Sequence, residues 1–214
     1  MKVTKKIERY LPMTKKQLAE IVECYATVFQ GWELVNGQVF RRTHGPIVQH
    51  AGIEQLRYKA YRPWSGIRAL PLPTVSMLHQ FLDIKHKHVE FRAHPTKWQS
   101  VVTAMEQQFR PPIRKPLALG EIKELCEKAL RENEDRESTR SLCMLAILNA
   151  YLGEKEQALS CCERMQTLPP PTLAPRLDWE QRHKEFGREL RGAIEAGNER
   201  EFLATAAERG ISEL

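Results

Sequence analysis

Seven histidines in this chain of 214 residues could supply metal ligands or acid and base groups. His86 and His88 are two residues apart, so on a strand their imidazoles would face the same side, and His94 follows on the same segment. Such a group could hold a metal ion or exchange protons during hydrolysis. The lysines around it would repel a cation, so we expect exposed histidines and no metal site. A hydrolase with an unrecognised site is the third hypothesis for function.

Cations and aromatic side chains are interleaved between positions 57 and 64. Single-stranded nucleic acid would fit such a surface, because phosphates pair with the cations and bases stack on the rings. An acidic protein surface would suit the cations equally well. In a third interpretation the rings pack inward and the cations are only solvated. The candidate partner-binding residues are Arg57, Tyr58, Lys59, Tyr61, Arg62 and Trp64.

Short motifs of familiar enzymes are absent from the sequence. It contains no glycine-rich phosphate loop, no Gly-x-Ser-x-Gly elbow and no His-Glu-x-x-His pair. We therefore expect no catalytic residues, no cofactor and a protein that is not an enzyme.

The five cysteines have no Cys-x-x-Cys pair among them. An odd number, with Cys161 and Cys162 adjacent, predicts reduced structural thiols, and a redox role for the adjacent pair is the alternative. The apolar runs are too short to span a bilayer, and the first residues lack the apolar stretch of a signal peptide. We expect a cytoplasmic protein without a membrane partner.

The net charge of +6 conceals two halves of opposite sign. Residues 1–115 carry 19 Lys and Arg against 8 Asp and Glu, whereas residues 116–214 carry 14 against 19. The change coincides with a segment at 111–116 whose three prolines cannot continue a helix. We predict a basic α+β domain over 1–110, a proline-rich linker over 111–119 and a helical repeat-like domain over 120–214.

The first domain is predicted to combine helices with a small, mainly antiparallel sheet. Thr14 can cap a helix that runs to about Phe29, and the Asn36-Gly37 pair between apolar runs predicts a hairpin. Apolar patterns predict three further strands, at 47–56, 65–72 and 87–93. They also predict a short helix that Thr74 caps, with Met77 to Leu82 on it, and a helix over 96–109.

Residues 145–169 have the pattern of two helices joined by a tight turn. Gly153 permits a left-handed turn, and the prolines from position 169 end the second helix. The stretch resembles one helix-turn-helix unit of the tetratricopeptide repeat, which implies binding of other proteins. The family usually has aromatic residues where Asn149 and Lys155 stand, and a plain helical bundle is the alternative. The residues at helical spacing are Leu142, Leu145, Ala146, Asn149 and Leu152 in the first helix and Ala158, Cys162 and Met165 on the inner face of the second, with a degenerate upstream copy at Ile122, Cys126 and Ala129.

The first half shows a second resemblance, through a helix, a hairpin with Phe40-Arg41-Arg42, and a strand with Ile47, Ile53 and Leu56. This order resembles uncharacterised bacterial α+β domains that occur among the immunity proteins of polymorphic toxin systems. The two resemblances together imply a non-catalytic protein-binding module, either a toxin-immunity protein or an adaptor or chaperone of a secretion system. Its partner would be a cognate toxin or secreted effector. The alternative is an RNA- or DNA-associated regulator that uses the basic half.

Overall fold

A computed structural model describes residues 12–72, 78–84, 88–132, 139–169 and 177–212. These residues form an α+β protein in which a six-stranded antiparallel sheet precedes a helical region, as the sequence predicts. The strands are β1 Glu33–Val35, β2 Val39–His44, β3 Ile47–Leu56, β4 Ala60–Ala69, β5 Leu78–Phe81 and β6 Val89–Glu90. The helices are α1 Lys15–Ala26, α2 His94–Gln108, α3 Leu119–Glu132, α4 Thr139–Leu152, α5 Lys155–Thr167, α6 Leu177–Ala196 and α7 Glu199–Ser212, and a 3-10 helix, Phe91–Ala93, precedes α2.

Contacts within the chain group it into two compact units. The first comprises Met1–Arg42, Gln49–Ile67 and Leu78–Leu117, so it holds most of the sheet with α1 and α2. The second comprises Thr43–Val48, Arg68–Met77 and Ala118–Leu214, so it holds the helices from α3 onward. Sequence reasoning did not foresee that two short segments from the first half group with the helices. Independent folding of the predicted domains stays a prediction.

Helix α1 begins where the sequence predicts and ends earlier. The Thr14 hydroxyl accepts a hydrogen bond from the Gln17 backbone and the Gln17 side chain accepts one from the Thr14 backbone, which is a complete capping box. The helix stops at Ala26 because the chain then turns toward Gly31, whose φ is +79°. Phe29 is nevertheless buried, so the predicted apolar stripe still faces the core.

Two hairpins build the first four strands. Asn36 and Gly37 both have positive φ, and the Gln38 N–H donates to the Val35 carbonyl, which is the type I′ turn that the sequence predicts. The turn between β3 and β4 has the same left-handed pair of angles at Tyr58 and Lys59. Neither residue type is typical of such a turn, so the sequence did not indicate it. Strand β4 therefore begins at Ala60, five residues earlier than predicted.

The sheet has the order β1-β2-β3-β4-β5, and β6 also pairs with β4. Its buried face, with α1 and α2, encloses the apolar core of the first unit. The predicted helix after Thr74 is wrong over its described part, because Leu78–Phe81 pairs with β4 as strand β5. Thr74 and Met77 lie outside the described residues. The core residues are Met13, Ile21, Val22, Tyr25, Phe29, Phe40, Ala51, Ile53, Tyr61, Leu82, Val89, Val101, Val102, Met105, Phe109 and Ile113.

The proline-rich segment is fixed to the first unit by two polar side chains. Gln49, which is fully buried, donates from its amide to the carbonyl of Pro111 at 2.8 Å. The Arg42 guanidinium donates to the Gln49 side-chain oxygen and to the carbonyl of Pro112 at 2.9 Å. Ile113 inserts into the apolar core. The predicted linker is therefore packed over these residues.

In the helical unit, α4 occupies the centre. Residues 141–150 are all buried, and the helix contacts α3, α5, α6 and α7. A helix that is apolar on every side is stable only when it is surrounded. At its end, Gly153 has φ +83° and the Glu154 N–H donates to the Asn149 carbonyl, a Schellman motif that confirms the predicted turn into α5. No helix in the described ranges has both the length and the apolar run that crossing a bilayer requires.

Helix α7 ends at Ser212 and contains Gly210 in its last turn. A Cβ atom at position 210 would lie 1.9 Å from the carbonyl oxygen of Leu70, and both residues belong to the second unit. Arg68 also donates to the Gly210 carbonyl at 3.2 Å. The glycine is thus required by a close backbone approach, and it does not act as a helix terminator.

Replacement of Gly210 by alanine is expected to lower the free energy of unfolding by roughly 1–3 kcal/mol, because the new methyl group collides with backbone that cannot move aside cheaply. Gly192, in α6, has no atom within 4 Å of an added Cβ. Gly192→Ala should therefore stabilise the helix by up to about 1 kcal/mol. Urea denaturation of the two variants compares them, and equal effects would contradict the close approach at Leu70.

Candidate functional site

The predicted partner-binding residues fall at three places in the first unit. Arg57, Tyr58 and Lys59 form the turn between β3 and β4, where the Tyr58 side chain is 56% exposed. The Lys59 carbonyl accepts a hydrogen bond from the Phe91 N–H at 2.8 Å. The turn is therefore tied to the 3-10 helix and presents its side chains from a fixed backbone.

Tyr61 lies in the core and offers no surface to a partner. Its hydroxyl is 3.1 Å from the Tyr25 hydroxyl and 2.7 Å from His94 Nδ1. Burial raises the pKa of both phenols and lowers the pKa of His94, so all three groups are neutral near pH 7. The two phenols and the imidazole thus form a continuous hydrogen-bonded chain from Tyr25 through Tyr61 to His94. This cluster stabilises the buried face of the sheet.

Arg62 and Trp64 point to the opposite face of β4, where they meet two side chains of β5. The Arg62 guanidinium lies 3.6 Å from the centroid of the Phe81 ring. The Phe81 and His79 rings stack at 4.6 Å, and the His79 and Trp64 rings are also 4.6 Å apart. We call Arg62, Phe81, His79 and Trp64 the aromatic ladder. Phe81 is 45% exposed, so the ladder forms a partly exposed apolar surface.

Glycine at position 52 makes room for one end of the ladder. A Cβ atom there would lie 2.8 Å from the Trp64 indole, which therefore rests directly on the backbone of β3. A larger residue would lift the indole and break its contact with His79. Gly52 thus places a large ring flat against the sheet at the position where strand pairing brings β4 next to β5.

The electrostatics of the ladder are set by Glu54. Its carboxylate accepts from Arg62 Nη2 at 2.6 Å and from Arg62 Nε at 2.8 Å, so this cation is already paired. Partial burial lowers the pKa of His79, with Glu54 opposing the shift and Arg62 adding to it. Around neutral pH the ladder is thus an apolar surface with one compensated charge pair.

The faces of the Phe81 ring are already in use. Arg62 covers one face of Phe81, His79 covers the other, and Trp64 lies against His79. Incoming groups therefore meet the edge of the Phe81 ring, which carries partial positive charge. Ring edges suit aliphatic groups, carbonyl oxygens and carboxylates.

Sequence reasoning found half of this ladder and missed the rest. His79 and Phe81 were not recognised, because Leu78–Phe81 was assigned to a helix. Glu54 lies in a predicted strand but was not recognised as the partner of Arg62. The signal was present, since residues 79 and 81 share a face only if the segment is a strand. Arg62 and Trp64 were recognised by their composition, although their strand was not.

The histidines considered for metal or acid-base chemistry do not share one site. His86 lies outside the described residues. His88 lines a groove of about 380 Å³ together with Glu90, Arg92 and Lys97, whereas His94 is in the core with Tyr61. Within the described part of the chain, no three His, Cys, Asp or Glu side chains are arranged to hold a metal ion.

A second groove, of about 570 Å³, lies in the helical unit between α3 and α5. Its lining includes Asn149 and Cys161, whose side chains are 3.9 Å apart. Burial raises the pKa of Cys161 to about 11 and that of Cys162 to about 12, so neither thiol is ionised at neutral pH. The adjacent cysteines are free and buried, which agrees with structural thiols.

Comparison of the chain with models of protein families, with curated proteins and with solved structures finds no match. The resemblances to the tetratricopeptide repeat and to the immunity class therefore rest on residue patterns. The structure agrees with their coarse content, a sheet domain followed by helices. Any functional assignment must start from the site itself.

The stability of the protein is expected to fall with the pH below about 6.5, because the unfolded chain then binds protons that folded, neutral His94 resists. Buried His183, whose pKa is lowered to about 4, acts in the same direction. His94→Asn keeps an acceptor near Tyr61 but cannot titrate. Denaturation at several pH values gives the slope of the unfolding free energy against pH. In this variant the slope should be shallower than in the wild type by up to about 1.4 kcal/mol per pH unit. An unchanged slope would remove His94 as a source of the dependence.

Proposed function

We propose that the protein is a non-catalytic protein-binding module and that the aromatic ladder is its anchor. The observation that carries this proposal is the partly exposed set of Arg62, Phe81, His79 and Trp64, which contact one another on the open face of the sheet. Aromatic residues and arginine supply most of the energy at protein interfaces. Their fixed geometry lowers the entropy lost on binding.

The ladder favours a protein over nucleic acid. A nucleobase binds by stacking on an open ring face, and in the ladder Arg62 and His79 already lie against the faces of Phe81. Arg62, one of three cations in the basic segment, is paired with Glu54 and is less available to a phosphate. The remaining excess of positive charge in residues 1–115 suits an acidic protein surface.

The protonation states of the buried groups support a non-catalytic role. Burial raises the pKa of Cys126 to about 12, like those of Cys161 and Cys162, and it raises the pKa of Tyr25 and Tyr61. A nucleophile or general base requires the opposite shift, toward the working pH. These thiols and phenols therefore serve packing and hydrogen bonding.

The particular role we propose is that of a toxin-immunity protein, with a secretion-system adaptor or chaperone as the related possibility. Both roles require one tight complex with a cognate protein and no chemistry on it. A toxin gene next to the gene for this chain would favour the immunity role. Co-expression then distinguishes the roles, because an immunity protein restores growth to cells that make the toxin and an adaptor does not.

The anchor is tested with a photo-reactive phenylalanine analogue at position 81 in cells that express the protein naturally. Leu34 is the matched control, because it is 46% exposed in the same unit but lies on β1. We expect a covalent adduct with one protein from position 81 and none from position 34. Phe81→Ala and Trp64→Ala should then weaken binding of that protein by about 2 kcal/mol or more each, as interface anchors do. Leu34→Ala should bind like the wild type, and equal binding by all variants would refute the anchor.

Nucleic-acid binding is tested with a single-stranded oligonucleotide over a range of salt concentrations. If Arg57, Lys59 and Arg62 contact phosphates, replacing all three with alanine should flatten the salt dependence by about two units, at roughly 0.7 for each contact. We expect no retention of the oligonucleotide at about 200 mM salt by the wild type. Tight, sequence-selective binding of the oligonucleotide at that salt would refute the protein-binding proposal and favour an RNA- or DNA-associated regulator.

A further inference from the structure

In the part of the chain that the structure describes, β5 is the last strand of the sheet, and its outer edge has no strand paired with it. Just beyond β5, the Gln108 side chain bonds the N–H and C=O of Asp83, so the unpaired edge is limited to β5 itself. The sheet order stops at β5, and the short strand β6 pairs with β4 beyond the end of β5. An open edge presents backbone N–H and C=O groups that another strand can pair with. The edge is next to the aromatic ladder, because Phe81 and His79 belong to this strand.

The pairing register shows which backbone groups face outward. Trp64 lies opposite Phe81, which places Pro63 opposite Leu82, and the Leu82 N–H donates to the Pro63 carbonyl at 3.1 Å. Hydrogen-bonded and non-hydrogen-bonded pairs alternate along an antiparallel ladder. The pairs of Phe81 with Trp64 and of His79 with Gly66 are therefore non-hydrogen-bonded. Within the described residues, the N–H and C=O groups of His79 and Phe81 point away from the sheet without a backbone partner.

Side chain and backbone at these two positions thus face the same incoming group. His79 and Phe81 each supply one donor and one acceptor at the edge, and their rings supply half of the ladder on the adjoining face. An extended chain that pairs with the edge would place every second side chain over the ladder. Such a chain satisfies its own backbone while its side chains provide selectivity.

We infer that the partner adds an extended segment to the edge of β5 as a seventh strand, with alternate aliphatic and acidic side chains over the aromatic ladder. This inference rests on the proposed function and specifies how the partner is held. The acidic character follows from the positive excess of residues 1–115 and from the partial positive charge of the ring edges in the ladder. The aliphatic character follows from the ring edges of the ladder.

Linear peptides selected from a random library on the immobilised full chain provide the probe. Two substitutions of His79 separate the contribution of its backbone N–H to binding from the contribution of its side chain. His79→Ala removes the imidazole and keeps the outward N–H, whereas His79→Pro removes the N–H as well. Proline is tolerated on an edge strand where the N–H faces solvent, so both variants should unfold at similar temperatures. We expect His79→Pro to bind the peptides about tenfold more weakly than His79→Ala.

Methylation of single backbone nitrogens in the peptide gives a second measurement on the unaltered protein. A strand-paired peptide turns only alternate N–H groups toward its neighbour. Methylation should therefore abolish binding at every second residue and change it little at the residues between. This period of two would not arise from a peptide held by its side chains alone.

The possible failures are distinguishable. Peptides that need Phe81 and Trp64 but ignore both His79→Pro and backbone methylation would overturn strand addition and leave the protein-binding function intact. A library without ladder-dependent peptides would overturn both proposals. A dimer of the chain in sedimentation that His79→Pro dissolves would assign the edge to a second copy and overturn the inference.

Discussion

The direction in which each side chain of β4 points is the constraint on which the site depends. Successive residues of a strand face opposite sides, so Tyr61 enters the core while Arg62 and Trp64 reach the open face. A shift of one residue in the pairing would exchange the two sets. The type I′ turn at Tyr58 and Lys59 fixes the register, although both residues must adopt left-handed angles. The conformational cost of these left-handed angles is offset by the contacts that the register aligns, which are the buried Tyr61 cluster on one face of β4 and the aromatic ladder on the other.

The two faces of β4 hold their side chains in different ways. On the buried face, Tyr61 is held by hydrogen bonds to Tyr25 and His94, whose neutral state depends on exclusion of water. On the open face, Trp64 is held by contact with Gly52 and by ring stacking, which tolerates water at the ring edges. A buried polar cluster requires one specific arrangement, because an unpaired partner is expensive. This rigidity of the core face keeps the exposed ladder in place.

Much of the fold follows from local signals, and the failures have a common cause. The capping box at Thr14, the Asn36-Gly37 turn and the Schellman turn at Gly153 each depend on residues adjacent in sequence. The β3–β4 turn and strand β5 were missed because neighbouring strands impose their conformation, and neither segment has a strong local preference. The role of Gly210 has no local signal for a related reason, since its close approach to Leu70 joins two positions that are far apart in the sequence.

Only half of the candidate site could be recognised in the sequence, because the pairing of strands β4 and β5 is what brings the four side chains of the aromatic ladder together. Composition identified Arg62 and Trp64, yet the meaning of these residues changes once His79 and Phe81 stand beside them. An arginine and a tryptophan in a basic segment suggest phosphate contacts and base stacking. The same two residues, with the guanidinium paired to Glu54 and placed over Phe81, and with the indole against His79, form part of an apolar surface that suits a protein. The choice between the two function classes therefore depends on the register of β4 with β5, which lies beyond the reach of any local sequence pattern.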